Sequence, residues 1–507
     1  MPVQDLRDWI QRVDALGDLT RVDGVDPELE LGGIVDLYQW DMGNPALLFD
    51  RIDGYRPGYR VLANVFTSLQ RIALSLDLPF EGGAREFVQT WRRELAHPEP
   101  HPSVFVDRGP VLENQQHGDD VDITAFPAPL WHRDDGGRYI GTGNIVIMRD
   151  PDTGWVNCGT YRVQLHDAQT AGLYISPGKH GRLIRDKYWK RGEACPVAVS
   201  VGHDPLLLLV GGLEAAYGEN EFDVAGAIRG APIELVRGPY TGLPIPATAE
   251  IVLEGEIPPD ELRMEGPFGE WTGYYASGEK EEPIIRVRSV LHRDDPIVLG
   301  CLAGKPPNDN TYFRSPLRSA MIWDELERTG VPGIVGVWSH EAGGGRLFNI
   351  VAITQMYPGH AKQVGMATAS CHAGAYANRF VVVVDDDIDP TDTNQVLWAM
   401  CTRTDVVEDV DVIKRCWSTP LDPMSYAGEG PRYFNNRMII DACRPYDRLK
   451  TFPAVARTSE AEASNLRARW PELFNSEGKV RREATRASRT PASIPAGVGA
   501  SDGNPSA

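Results

Sequence analysis

Apolar residues at Leu6, Ile10, Val13, Leu16 and Leu19 recur at spacings of three and four, which predicts an amphipathic helix packed by one stripe over residues 6–19. Apolar runs at 46–49 and 60–63 predict short strands and 85–95 a helix, so the first hundred residues read as mixed α/β. The stretch 97–110 is rich in Pro and His and predicts a linker, because proline fixes φ and removes a backbone donor. From about 118 to 318 the texture is β. Apolar runs at 143–148 and 155–163 flank Asp150-Pro151-Asp152-Thr153-Gly154, the pattern of a hairpin. Further runs at 197–201, 233–236, 249–253, 284–290 and 297–302 predict a barrel-like or sandwich sheet. In the last folded third, strands at 333–338, 347–354 and 379–384 alternate with helices at 361–376 and 393–402, which predicts a largely parallel, helix-covered sheet. The tail after 475 is rich in Ser, Ala, Gly and Pro and is expected to be disordered. The expected division is therefore 1–115, 116–320, 321–475 and a tail 476–507.

Charge narrows the function. With 51 Lys and Arg against 71 Asp and Glu, the net charge of −20 argues against nucleic acid as a partner. No apolar run approaches the ~20 residues that cross a bilayer, so no membrane role is expected. The first residues lack a basic segment followed by an apolar one, so no secretory signal is expected and the cytosol is the expected location. Seven cysteines, odd in number, scattered and without a C-x-x-C pair, predict neither a disulfide framework nor a cysteine zinc site.

The most unusual local sequence is Met264-Glu265-Gly266-Pro267-Phe268-Gly269-Glu270-Trp271. Two glycines and a proline between two glutamates exclude a regular helix and present both carboxylates on a shaped loop. Such a pair suits acid/base work when one carboxyl stays protonated and the other ionised; the competing reading is a solvated turn. Arg162, after Asn157-Cys158-Gly159-Thr160-Tyr161, is a natural bidentate partner for a buried carboxylate, or else a surface arginine on a hairpin. His180 lies in a Gly/Pro-rich loop and Glu221 beside a Gly-rich segment; with Asn157 they form a mixed N/O donor set suited to Mg or Mn. Gly343-Gly344-Gly345 belongs to no phosphate-loop pattern, and no G-x-S-x-G elbow occurs. The acidic run at 385–387 reads as a strand-to-helix turn.

Taken in order, Asn157 to Arg162, His180, Glu221 and Glu265-Gly266-Pro267-Phe268-Gly269-Glu270 resemble the UbiD family of reversible decarboxylases that use prenylated FMN. The similarity runs from the opening helix to Arg379-Phe380-Val381-Val382-Val383-Val384-Asp385-Asp386-Asp387. It implies an α/β (α+β) fold: an N-terminal α/β domain, a central split β-barrel that binds flavin, and a C-terminal α/β domain that mediates oligomerisation, as homodimer or hexamer.

The resemblance also implies roles. Arg162, Glu265 and Glu270 match a catalytic Glu-Arg-Glu triad in which Glu270 is the proton donor. Asn157, His180 and Glu221 match ligands that hold Mn or Mg against the flavin phosphate. Backbone groups around Cys158 and Gly211, Gly212 and Leu213 match a neighbouring potassium site, and Thr160, Tyr161, Arg162 and Lys179 line the cofactor. Lys179 stands where another relative carries glutamine, and Arg379 where relatives often carry a lysine to the phosphate. Loss of carbon dioxide from an sp² carbon leaves electrons that no side chain can accept, so a cofactor must supply the sink. In the family the flavin does so as a covalent adduct with the substrate, and a separate prenyl-flavin synthase supplies it. The expected substrate is a small aromatic or heteroaromatic carboxylic acid, with phenazine-1-carboxylate the leading specific candidate, followed by phenolic and pyrrole- or furan-type acids. The expected wall includes residues 308–311 and 425–436. The alternatives are a non-catalytic flavin- or metal-binding protein of the same fold, a subunit of a multi-component aromatic carboxylase, or an enzyme working in the carboxylation direction.

Overall fold

A computed structural model of the 507-residue chain describes residues 2–95, 99–213, 215–276, 278–426 and 434–474. The expected tail at 476–507 and part of the expected wall, 427–433, lie outside the described residues. Met1–Asp447 is one compact unit and Arg448–Ala507 a second. Within the second, a Ser459/Glu462 capping box opens the helix Glu460–Arg469, which satisfies two of its free N–H groups.

The first helix, Leu6–Ala15, buries Leu6, Trp9, Ile10 and Val13, the stripe read from the spacing. It ends earlier than expected because Leu19 starts a strand, Leu19–Val25, pairing in parallel with Ala46–Ile52. Arg60–Ala63 pairs antiparallel with Ala46–Ile52, and Ile297–Leu299, from far along the chain, closes this four-stranded sheet in parallel with Arg60–Ala63.

The middle of the chain builds a ten-stranded antiparallel sheet whose long strand, Lys280–His292, pairs with Ile251–Ile257, Thr170–Leu173, Leu262–Glu265 and Asn114–His117. The expected hairpin is present as Ile145–Arg149 against Val156–Gly159. Its apolar run is continuous because both faces are covered: Ile145 and Ile147 enter one core, Val146 and Met148 the other. The run expected to continue through Val163 breaks after Gly159, and a new strand, Val163–Asp167, pairs elsewhere in the sheet. Residues 160–162 are thereby released from the ladder.

The C-terminal sheet has the order Ile334–Ser339, Phe348–Ile353, Phe380–Asp385, Phe434–Ala442, Val410–Trp417. Its central pairings are parallel and both outer ones antiparallel, so it is mixed rather than largely parallel. The helix expected over 361–376 is two, His360–Ser370 and His372–Ala375, with extended backbone at Cys371 between them. A 20-residue helix, Asp309–Arg328, had no counterpart in the apolar pattern, because Pro316 and the buried polar residues Ser315, Arg318 and Ser319 interrupt its stripe. The acidic turn at 385–387 is not free for a metal: Asp385 and Asp387 bind Arg403, and Asp385 also binds Arg444. Among the described residues no helix is long and apolar enough to cross a membrane.

Candidate active site

The strand Leu262–Glu265 delivers Glu265 to a fully buried position, and the chain then turns through 266–269 to bring Glu270 back toward the same point. Arg162, released from the sheet at the break described above, meets both. Its Nε and Nη2 donate to the two oxygens of Glu265, each at 2.7 Å, and its Nη1 donates to Glu270 Oε1. The Tyr139 hydroxyl donates to Glu265 Oε1 at 3.0 Å. Burial, and then the charge on Glu265, push the Tyr139 phenol up, which keeps it a donor. Burial works against the Arg162 charge, but Glu270 and Glu265 outweigh it and hold the guanidinium above its ordinary value. The ring of Tyr174, 4.4 Å from the guanidinium carbon, covers one side of it. The solvated-turn reading of the two glutamates is thus excluded: side-chain exposure is 7% for Arg162, 0% for Glu265 and 9% for Glu270.

Arg162 and Glu270 face a cavity of about 290 Å³, lined also by Asn157, Thr160, Tyr161, Lys179, His180, Gly211, Gly212 and Glu221. Glu221 begins the helix Glu221–Arg229; it accepts from Asn157 Nδ2 at 2.7 Å and from the Cys158 N–H at 2.9 Å. Burial pushes its carboxyl up to about 7 against those two donors. His180 begins the helix His180–Lys190, its ring flanked by Trp155 and Tyr217 at 5.2 and 5.5 Å. The Tyr161 hydroxyl ties the two halves together, accepting from the Gly181 N–H at 3.1 Å and lying 3.4 Å from Asn157 Oδ1. The three residues expected to hold a divalent ion therefore reach one cavity from three separate segments.

Besides Glu265, which lies behind Arg162, three expected site residues stand apart from the lining. Cys158 is buried behind it, with its thiol pushed up by burial and by Glu221, and contributes its backbone N–H. Leu213 follows the lining glycines but does not line the cavity. Arg379 is not brought to the cavity: its Nη2 lies 2.7 and 2.6 Å from the two oxygens of Asp422, a buried carboxylate that also accepts from Ser418 and Met424. Of the expected wall at 308–311, only Asn310 lines it. Asn308 caps the long helix, Asp309 accepts the Val65 and Phe66 N–H groups, and the Thr311 hydroxyl is engaged with Asn308. Asn435 donates to Ala377 and Asn378 carbonyls.

The structure adds an aromatic wall: Phe268 and Trp271 come from the segment that carries the two glutamates, whereas Tyr174, Tyr376 and Trp417, and the cations Arg314 and Arg346 beside Lys179, belong to no motif. The Gly-rich segment 343–345 has a packing role here: a Cβ on Gly344 would lie 2.3 Å from the Trp271 ring. Aromatic faces suit a flat apolar ligand, while clustered cations in a strongly acidic chain suit anionic groups.

Comparison with known proteins shows the family. Family models described as the N-terminal, Rift-related and C-terminal domains of 3-octaprenyl-4-hydroxybenzoate carboxy-lyase match residues 10–91, 104–306 and 311–442. The pyrrole-2-carboxylic acid decarboxylase of Pseudomonas aeruginosa is 33% identical over 490 residues, covering 94% of this chain and 98% of its own. A phenolic acid decarboxylase of Streptomyces sp. (strain D7) is 34% identical, covering 88% of this chain and 93% of its own. Among solved structures, the UbiD-class enzyme HmfF from Pelotomaculum thermopropionicum in complex with FMN superposes with a TM-score of 0.80 at 28% identity, covering 90% of this chain and 98% of its own. With all three domain models matched in order and curated decarboxylases similar along almost their whole length, the chain belongs to the UbiD family of carboxy-lyases.

Proposed function

We propose that this protein catalyses the reversible, non-oxidative decarboxylation of an aromatic or heteroaromatic carboxylic acid with prenylated FMN, Glu270 serving as proton donor. The observation that carries the reading is one buried guanidinium holding two carboxylates, of which Glu265 is sealed in and Glu270 faces the cavity. Arg162 holds Glu265 in one orientation through two hydrogen bonds. Glu270 is presented to the cavity, where it delivers a proton to the carbon that carbon dioxide has left; in the carboxylation direction it removes that proton.

The residues fit the cofactor. Glu221, Asn157 and His180 form an O/N donor set suited to Mn or Mg, which would bind a flavin phosphate together with Lys179. The Cys158 carbonyl lies beside Gly211, a Cβ on Gly211 being 3.4 Å from that oxygen, and would be one oxygen ligand of a neighbouring potassium ion. When bound, the modified flavin supplies the electron sink that protein side chains lack. HmfF has been solved with FMN and, as an evolved dimeric form, with prenylated FMN, which supports the assignment.

The aromatic wall supports a flat ring as substrate. The relatives act on pyrrole-2-carboxylic acid and phenolic acids; phenazine-1-carboxylate remains the leading candidate here because six aromatic side chains, Tyr161 among them, line the cavity. We assign 1–115 as an N-terminal α/β domain, 116–320 as the flavin-binding domain and 321–475 as an oligomerisation domain of a homodimer or hexamer.

Co-expression with a prenyl-flavin synthase in medium supplied with Mn and potassium should yield protein carrying prenylated FMN, identified by its ultraviolet-visible spectrum and the mass of the released ligand. That holoprotein should release carbon dioxide from at least one of phenazine-1-carboxylate, pyrrole-2-carboxylate and vanillate. Protein that stays free of flavin, or holoprotein inert toward all aromatic acids tried, would overturn the reading.

A further inference from the structure

Behind the loop that joins Glu265 to Glu270 lie two buried side chains with no part in the chemistry above. Gln164, 4% exposed, donates from Nε2 to the Gly136 carbonyl at 3.0 Å and accepts at Oε1 from the Gly266 N–H at 3.2 Å. Asp135, 9% exposed, accepts at Oδ1 from the Gly269 N–H at 3.2 Å and at Oδ2 from the His132 N–H at 3.0 Å. Between them the Gly136 N–H donates to the Pro267 carbonyl at 2.7 Å. Three anchor points, at residues 266, 267 and 269, thus tie the loop to segment 135–136 or to Gln164.

The placement is specific to the triad. Gly266 follows Glu265 directly, so the peptide N–H next to Glu265 is held by Gln164; Gly269 precedes Glu270, and its N–H, one peptide before Glu270, is held by Asp135, while the Glu270 N–H itself donates to the Tyr274 carbonyl at 3.2 Å. Gln164 is two residues from Arg162, so on an extended chain both point to the same side. Pro267 fixes φ in the middle of the loop, but the glycines next to both carboxylates leave its two ends free to turn. The contacts above set those ends. Gly136 also packs so closely that a Cβ there would lie 1.7 Å from the Gly266 carbonyl oxygen, so the loop and segment 135–136 meet backbone to backbone.

We propose that Gln164 and Asp135 are positioning residues that set where Glu270 stands relative to Arg162, acting through the peptide groups of Gly266 and Gly269. The inference rests on the reading of Glu270 as proton donor. A misplacement of roughly 1 Å at a reacting group costs on the order of 10²-fold in rate, which sets the scale of the effect.

The test compares wild type, Gln164→Met, Asp135→Ala, Asp135→Asn and Glu270→Gln as holoenzymes, with phenazine-1-carboxylate, pyrrole-2-carboxylate and vanillate as probes. Gln164→Met keeps the side-chain volume and deletes both hydrogen bonds. It and Asp135→Ala should bind cofactor normally and lose about 10- to 100-fold in kcat, with KM changed by less than about threefold. Asp135→Asn, which keeps one acceptor oxygen, should recover part of that loss. In the cofactor-free proteins, amide hydrogen exchange should accelerate in peptides spanning 265–270 and stay unchanged elsewhere. Unchanged kcat and exchange in Gln164→Met and Asp135→Ala, with Glu270→Gln inactive, would overturn the inference while sparing the proton-donor reading. Exchange that rises throughout the protein would equally overturn it, as general destabilisation. Full activity in Glu270→Gln would instead remove the proton-donor reading, and the positioning role with it. Should Asp135→Ala fail to fold, Gln164→Met decides.

Discussion

Arg162 grips Glu265 through a two-point fork, Nε and Nη2 each 2.7 Å from a different carboxylate oxygen, with Glu265 fully buried. Geometry of this kind is open to arginine and closed to lysine, whose ammonium is a single point charge. The pairing also leaves Nη1 for Glu270, so one side chain sets the spacing of both carboxylates.

Breaking that fork should therefore be costly to stability as well as to activity. Arg162→Met strands a buried carboxylate and is expected to lower the unfolding free energy by about 3–5 kcal/mol, measured by urea denaturation. Arg162→Lys should cost less, because it keeps a charge, yet leave decarboxylation as impaired as in the methionine variant. Wild-type turnover in the lysine variant would contradict a geometric role for the fork.

Glu270→Gln removes the transferable proton and keeps the shape. Turnover should fall by about 10²–10⁴-fold, the usual contribution of a positioned acid. Flavin content, read from absorbance against protein concentration, should remain that of wild type. Normal carbon dioxide release from this variant would assign the proton to another group.

Glu221 and His180 should behave differently from Glu270. Replacing either with Ala is expected to release flavin and divalent metal together, measured by absorbance and by elemental analysis on one sample. For Glu221→Ala there is a second cost, since the Asn157 amide and the Cys158 N–H lose their acceptor; a buried donor left unpaired destabilises by about 1–3 kcal/mol. Stoichiometric flavin in both variants would contradict their role as ligands.

His203 offers a test of acid stability away from the cavity. It is fully buried, its Nδ1 lies 3.1 Å from Ser200 Oγ, and burial pushes it down to about 3. Between the ordinary value near 6.5 and about 3, the unfolded chain carries the proton and the folded one does not, so stability is lost as pH falls through that window. In His203→Gln the dependence of unfolding free energy on pH should be shallower there, by up to about 1.4 kcal/mol per pH unit for one proton. Equal slopes in the two proteins would mean that His203 takes up its proton without unfolding.

Much of the fold was legible in local pattern. The stripe Leu6, Ile10 and Val13, the Asp150–Gly154 hairpin turn and the strands flanking it are short-range features, and the structure reproduces them within a few residues. The helix Asp309–Arg328 was not legible, because burial around much of its circumference, with Pro316 inside, erases the two-sided contrast from which a helix is read. The mixed character of the C-terminal sheet is not legible in the sequence for a related reason. Strand direction depends on which neighbours pair, and an alternation of strands and helices does not encode the antiparallel outer strands.

The site divides along the same line. By itself the sequence determined which residue types were available: an Arg, two Glu around a Gly-Pro turn, and an Asn, His and Glu set, all tied to one family by their order. Only the tertiary structure decided their partners. It buries Glu265 and turns Glu270 to the cavity, gives Arg379 to Asp422, and brings Tyr174, Trp271, Arg314 and Arg346 to the wall. Whether a carboxylate is a solvated surface charge or half of an acid–base pair depends on the water removed and the charges brought near it, and both are set by segments about a hundred residues apart in the chain.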